Sequence, residues 1–243
     1  MPRYPGSSGV MYQFGPGSMT PAVRFIIWAN VVMFLVTFFV QGIVPYLALT
    51  PQHVFERGWL WEPVTYMFLH GDLFHILFNL LGIWMFGVEL ERMWGTPYFV
   101  KLYAVSGLGA AATMLLLGWF SEQMYHAATI GASGAFYGLL LAYGIVFAHR
   151  PILLFFLFPI PARYAVMIFG AIAFLGSTNA ATSRTAHAAH LGGLVTAYIF
   201  LKGGRGGIAA EMKYRYVKWR MNRLRKKFDV YSGGRGPWDR KVH

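Results

Sequence analysis

Residues 129–144 read TIGASGAFYGLLLAYG. The run is apolar enough to lie inside a membrane, yet it opens with Gly131-Ala132-Ser133-Gly134. One serine stands between glycines near the end of a candidate span. Glycine permits close backbone approach, so the serine marks either a tight helix contact or a reactive centre. Gly131, Gly134, Ala135, Gly138 and Ala142 also make a stripe of small residues, which by itself suits helix packing.

The composition fits a membrane setting. The 243 residues are 56% hydrophobic and only 12% charged, whereas soluble domains carry about 25% charged residues. That contrast indicates a polytopic membrane protein. With no cysteine in the chain, disulfides, thiol nucleophiles and zinc–thiolate sites are excluded.

Working outward, we expect an all-α bundle of six transmembrane helices. The first span covers about residues 23–44, behind Thr20-Pro21, which reads as an N-cap followed by proline at N1. Residues 45–68, with Trp59, Trp61 and several prolines, suit an interfacial loop. The second span runs from about Leu69 to Leu90, and Glu89, Glu91, Arg92 and Gly95 mark the turn after it. The third covers about 97–120, and a polar loop at 121–128 leads to the opening stretch, which ends near Ala148. Residues 151–160 are apolar but bounded by prolines, and read as a connector at the membrane. Shorter spans follow at about 164–176 and 186–201.

Residues 1–19, rich in Gly, Pro and Ser, read as a flexible N-terminal segment without the features of a signal peptide. Residues 20–203 are the membrane domain, and 204–243 a basic tail. From Lys202 onward, thirteen Lys or Arg face only Glu211, Asp229 and Asp239, so ten of the twelve net positive charges fall there. The loops on the other side hold only Arg57 and Arg184, which puts both termini in the cytoplasm. Val217, Met221, Leu224 and Phe228 form a helical stripe among basic residues, suited to an anionic lipid surface. A solvated tail that merely fixes topology is the alternative. Charge alone would also permit nucleic-acid binding, which we do not expect.

Polar side chains inside a membrane are costly and point to function. In the topology above, His75, Asn79, Ser133, His187 and His190 fall in the first turns of spans two, four and six, all of which enter from outside. They therefore converge at one depth near the outer surface. His75 and Asn79, four apart, share a helix face and can donate hydrogen bonds to a developing negative charge. Ser133 suits a nucleophile and His190 its base. No Asp or Glu lies between Glu122 and Glu211, so a catalytic unit here is a Ser–His dyad unless Asp72 or Glu122 folds over it. His187 and His190, with His70 or His75, offer the start of a metal site. No carboxylate is placed to complete it, so no metal or other cofactor is expected.

In these residues the chain resembles the rhomboid family of intramembrane serine proteases. The resemblance covers about residues 20–203. It rests on HGDLFHILFNLLGIWMFG at 70–87, GASG at 131–134 and AHLGG at 189–193, in that order and placement. It implies that Ser133 is the nucleophile and His190 the general base, and that His75, Asn79 and the Ser133 backbone N–H bind the oxyanion. It implies that Tyr137 packs on the histidine, doing part of an aspartate's orienting work. Gly131 would keep spans four and six close, with Gly192 and Gly193 doing so from the other helix, and Gly134 belongs to the same element. Where the family often has Trp-Arg in its first outer loop, this chain has Trp61-Glu62, and Ala197 stands where glycine is common in span six. The function implied is cleavage of transmembrane protein substrates near the outer face, the fifth span serving as a lateral gate, in a prokaryotic cell (inner) membrane. A non-catalytic rhomboid-like binding or transport protein is the alternative, and a metallohydrolase a third possibility.

Overall fold

A computed structural model describes residues 16–154, 158–178 and 184–203; the first fifteen residues and the basic tail lie outside that range. The described part is mostly helical. Helix α1 spans Pro21–Phe39 and is followed by short helices α2 (Val44–Leu47), α3 (Pro51–Arg57) and α4 (Glu62–Thr65). Then come the long helices α5 (Leu73–Trp94) and α6 (Thr96–Phe120), a short α7 (Glu122–Tyr125), and α8 (Ser133–Val146). Strands β1 (Pro151–Leu154) and β2 (Phe158–Pro161) precede α9 (Ala162–Thr178) and α10 (Arg184–Gly203).

Among the described residues, three helices, α1, α5 and α6, are long and apolar enough to cross a membrane, and α8 and α9 are apolar but shorter. Large apolar side chains stay on outward faces. Phe25, Phe39, Phe74, Trp119 and Phe120 are each at least two-thirds exposed. Water would not tolerate such a surface, and hydrocarbon does.

Helix α8 is the buried element, with Leu139, Leu140 and Ala142 all but inaccessible. Small residues let its neighbours close around it. A Cβ at Gly134 would stand 2.5 Å from Ala110 Cβ on α6, and one at Gly138 would run into Ser106. On α9, Val166 fills the space beside Gly144. At 14 residues, α8 is roughly 21 Å long, short of the ~30 Å hydrocarbon core. An irregular segment precedes it, tied to the rest of the protein by backbone hydrogen bonds between Leu49 and Thr129 and from the Gly131 N–H to the Tyr66 carbonyl.

Several element ends differ from the sequence reading. Helix α5 begins at Leu73, where the Asp72 carboxylate accepts the His75 N–H at 2.8 Å, so His70 lies before the helix. The same helix runs on to Trp94, and the turn sits at Gly95, whose φ is +78°. Glu89, Glu91 and Arg92 are therefore helical. Glu91 is buried because it caps another helix. Its carboxylate accepts the Ala22 and Val23 N–H groups, each at 3.0 Å, together with the hydroxyls of Thr20 and Thr96. A charge reads as a loop signal in sequence, but here it satisfies the orphan donors at the start of α1.

Within the connector at 151–160, β1 and β2 pair as antiparallel strands, so the chain is not purely α. Pro151 pairs with Pro161 and Leu154 with Phe158, antiparallel. Pro151, Pro159 and Pro161 bar a helix, because each lacks an N–H and constrains the residue before it. The Arg150 guanidinium pairs with Glu89 of α5 at the base of the paired strands. The loop expected at 45–68 is likewise structured, as the end of α2, then α3, α4 and a 3-10 turn at Tyr66–Phe68.

Candidate functional site

Ser133 is the first residue of α8 and His190 lies in the second turn of α10. Their side chains meet: Ser133 Oγ stands 2.7 Å from His190 Nε2. Gly193, one turn beyond His190, explains the closeness of the two helices. A Cβ there would run into the Gly134 backbone, its carbonyl carbon 2.7 Å away. Because Ser133 starts its helix, its N–H is one of the unpaired donors there, at the positive end of the helix dipole.

Tyr137, one turn along α8, stacks on the His190 ring, with centroids 4.3 Å apart and planes 10° from parallel. Among the described residues, His190 Nδ1 has no hydrogen-bond partner. Asp72 is occupied in capping α5, and Glu122 begins α7, so neither supplies the third member of a triad. The histidine is thus oriented by a ring face in place of a carboxylate. His187 lies edge-on to it, with centroids 5.8 Å apart.

His75 and Asn79 approach from α5. They line a cavity of about 300 Å³ together with Ser133, Tyr137, Phe136 and His190. The Gly71 N–H points at His75 Nδ1, 3.4 Å away, which leaves the ring proton on Nε2. That Nε2 would be 2.7 Å from a Cβ at Gly131, and Ser133 Oγ 3.6 Å from the same point. The space beside Gly131 therefore has an N–H donor on one side and the serine on the other. One Asn79 Nδ2 proton is bonded to the His75 carbonyl at 2.8 Å, and the other remains for a ligand. The site thus holds a hydroxyl, an imidazole in contact with it, and donors on the far side. That arrangement can activate an oxygen and stabilise an oxyanion.

Two glycines stand elsewhere than expected. Gly131 lies before α8, and its close neighbour is His75 of α5, not α10. With φ at +119° it also adopts a backbone conformation that side-chain-bearing residues rarely reach. Gly192 faces α6, where a Cβ would come within 3.1 Å of Ala110 Cα. Only Gly193 makes the contact to α8 that the sequence assigned to the pair. The sequence reading noted Glu62 only as the residue standing where the family often has arginine, and gave it no role. This carboxylate is fully buried in the first loop and accepts from the Thr50 N–H and from His53 Nδ1, each at 2.9 Å. An acid beside proline in an aromatic, apolar stretch was the signal available.

The Rhomboid domain model matches residues 57–204. Over 134 residues the chain is 31% identical to "Rhomboid protein 1, mitochondrial" of Saccharomyces cerevisiae, covering 55% of this chain and 38% of that one. It is 30% identical over 143 residues to "Putative rhomboid protease YdcA" of Bacillus subtilis, covering 59% and 66%. It is 32% identical over 142 residues to "Rhomboid protease GluP" of the same organism, covering 57% and 25%. The matched stretches thus span less than two thirds of each relative.

Proposed function

Because the chain belongs to the rhomboid family, we propose that it is an intramembrane serine endopeptidase working through a dyad of Ser133 and His190. The observation that carries this is the 2.7 Å hydrogen bond between two side chains 57 residues apart, part-buried at the start of α8. Family relatives named as proteases support the same reaction class.

In this proposal Ser133 Oγ attacks the scissile carbonyl of a transmembrane substrate, and His190 Nε2 takes its proton. Negative charge then develops on the carbonyl oxygen. His75 Nε2–H, the free Asn79 N–H and the Ser133 backbone N–H surround that oxygen, aided by the positive end of α8. His190 returns the proton to the leaving amine. The acyl-enzyme is hydrolysed by the same steps in reverse, with water as nucleophile. Tyr137 holds the imidazole plane throughout. Gly131, Gly134 and Gly193 provide the close approaches that this geometry requires.

We further place six spans in the membrane, α1, α5, α6, α8, α9 and α10, with both termini cytoplasmic, following the asymmetry of Lys and Arg. That puts the start of α8 below the outer face and the dyad at that depth. Residues 20–203 form the membrane domain, preceded by a short N-terminal segment. The basic tail from 204 lies on anionic lipid. Substrates are helices opened locally by Gly, Ala or Pro, since a bond within an intact helix is shielded, and they enter past α9. A prokaryotic cell membrane is the setting proposed, although the domain also occurs in relatives named as mitochondrial.

The test is a reporter carrying a transmembrane segment, co-reconstituted with the full chain in liposomes. Replacing Ser133 by Ala is expected to lower cleavage by at least about a thousandfold. Undiminished cleavage by Ser133→Ala overturns the proposal, and absence of cleavage by the wild type favours a binding or transport role.

A further inference from the structure

Ser133 is placed by a segment that makes no helix of its own. Residues 126–132 lead from α7 to α8, and three backbone hydrogen bonds tie them to the first loop. The Leu49 N–H donates to the Thr129 carbonyl at 3.0 Å, and the Thr129 N–H returns to Leu49 at 2.8 Å. The Gly131 N–H donates to the Tyr66 carbonyl at 2.9 Å. Two residues after that last bond, the helix and its serine begin.

Both attachment points flank one side chain. Glu62 opens α4, and Tyr66 follows that helix directly. On the other side, Thr50 neighbours Leu49 and immediately precedes α3. The fully buried Glu62 carboxylate accepts the Thr50 N–H through one oxygen and His53 Nδ1 through the other, each at 2.9 Å. A buried carboxylate is held where its oxygens are bonded, because leaving them unpaired is costly. Residues 49 and 50 are thereby fixed to α4, and the segment before Ser133 is fixed to both. Thr65 adds a further bond from its hydroxyl to the Leu47 carbonyl at 2.7 Å.

We propose that Glu62 is a positioning residue for Ser133. By holding Thr50, its carboxylate sets the Leu49–Thr129 bridge and hence the depth and direction at which α8 presents the serine to His190. Glu62 touches no reacting atom and acts through the bridge. The inference rests on Ser133 being the nucleophile.

The experiment compares the full-length wild type with Glu62→Gln and His53→Phe in liposomes, using two readouts. One is amide hydrogen exchange at residues 49 and 129–131. The other is the rate at which a fluorophosphonate labels Ser133, with Ser133→Ala as the blank. A glutamine keeps the volume but loses the charge and one acceptor oxygen, so it can hold both the Thr50 N–H and His53 only if the His53 ring changes tautomer. Exchange at Thr129 and Gly131 is expected to speed at least about tenfold in Glu62→Gln while the cores of α5 and α6 stay protected. Labelling should slow by about the same factor, since small misplacements of a nucleophile cost this much. His53→Phe, which keeps a ring beside Trp59 but removes one partner of Glu62, should shift both readouts in the same direction by less. It carries the test if Glu62→Gln fails to fold. Wild-type exchange at Thr129 and Gly131, or a wild-type labelling rate in folded protein, overturns the proposal. So does lowered thermal stability with both readouts unchanged, which is what a merely structural role predicts. A wild type that takes up no label contradicts the dyad assignment instead, and exchange then decides alone whether Glu62 holds the bridge.

Discussion

Gly193→Ala adds a single methyl group at the place where α10 meets α8. That carbon would lie 2.7 Å from the Gly134 carbonyl carbon and 3.1 Å from its Cα. Carbon contacts settle at about 3.5–4.0 Å, so the two backbones must part by on the order of 1 Å. No rotamer can relieve the clash, because the obstacle is main chain. His190 rides on the same helix one turn earlier, so its 2.7 Å bond to Ser133 would stretch beyond the ~3.2 Å reach of a general base. The expected loss in cleavage rate is about a hundredfold, with overpacking lowering stability by about 1–3 kcal/mol. The control is Gly170→Ala on α9, where the nearest atom, Leu194 Cδ1, would be at an ordinary 3.6 Å. The assay is reporter cleavage by both variants in liposomes, well below their unfolding temperatures. A Gly193→Ala protein within about threefold of wild type, less than about 0.7 kcal/mol in barrier, would refute the reasoning.

Other expectations follow from the same geometry. Tyr137→Ala removes the ring stacked on His190 and should slow cleavage about tenfold, while Tyr137→Phe keeps the ring and stays near wild type; equal effects would exclude stacking as the orienting contact. His75→Ala and Asn79→Ala should each lower kcat about 10²-fold with little change in KM, and a pure KM effect would argue against oxyanion binding. Glu91→Ala strips the acceptor from four donors, two of them backbone N–H groups at the start of α1. It should cost about 3 kcal/mol or more in a denaturant titration of the micellar protein, and a loss under about 1 kcal/mol would contradict the capping role.

Much of the helix layout was legible because a membrane imposes long apolar runs. The ends were not, and the reasons are local. Asp72 moves the start of α5 past His70 by capping it. Glu91 looked like a turn residue, because sequence does not show that the N-terminus of α1 needs an acceptor there. The paired strands within 151–161 were hidden in an apolar stretch whose prolines said only that it was not helix. The approach of Ser133 and His190, 2.7 Å apart in the structure, was expected from the sequence because the proposed topology puts both near the ends of spans entering from the same side. The surroundings of the glycines were not readable, because a small residue reveals a close approach without revealing its partner. Gly131 meets His75 and Gly192 meets α6, although both were assigned to the contact between α8 and α10. The part played by Glu62 was missed for a related reason: its partners, Thr50 and His53, lie behind it in the chain and reach it only once the loop has folded.

The central claim is that Ser133 is a nucleophile activated by His190. Its most direct test is covalent labelling of the full-length protein by a fluorophosphonate in liposomes, with the modified residue located by mass spectrometry. The account predicts adduct on Ser133 in the wild type and its loss in both Ser133→Ala and His190→Ala. Adduct formation that persists in His190→Ala at the wild-type rate, or a wild type that remains unlabelled, would contradict it.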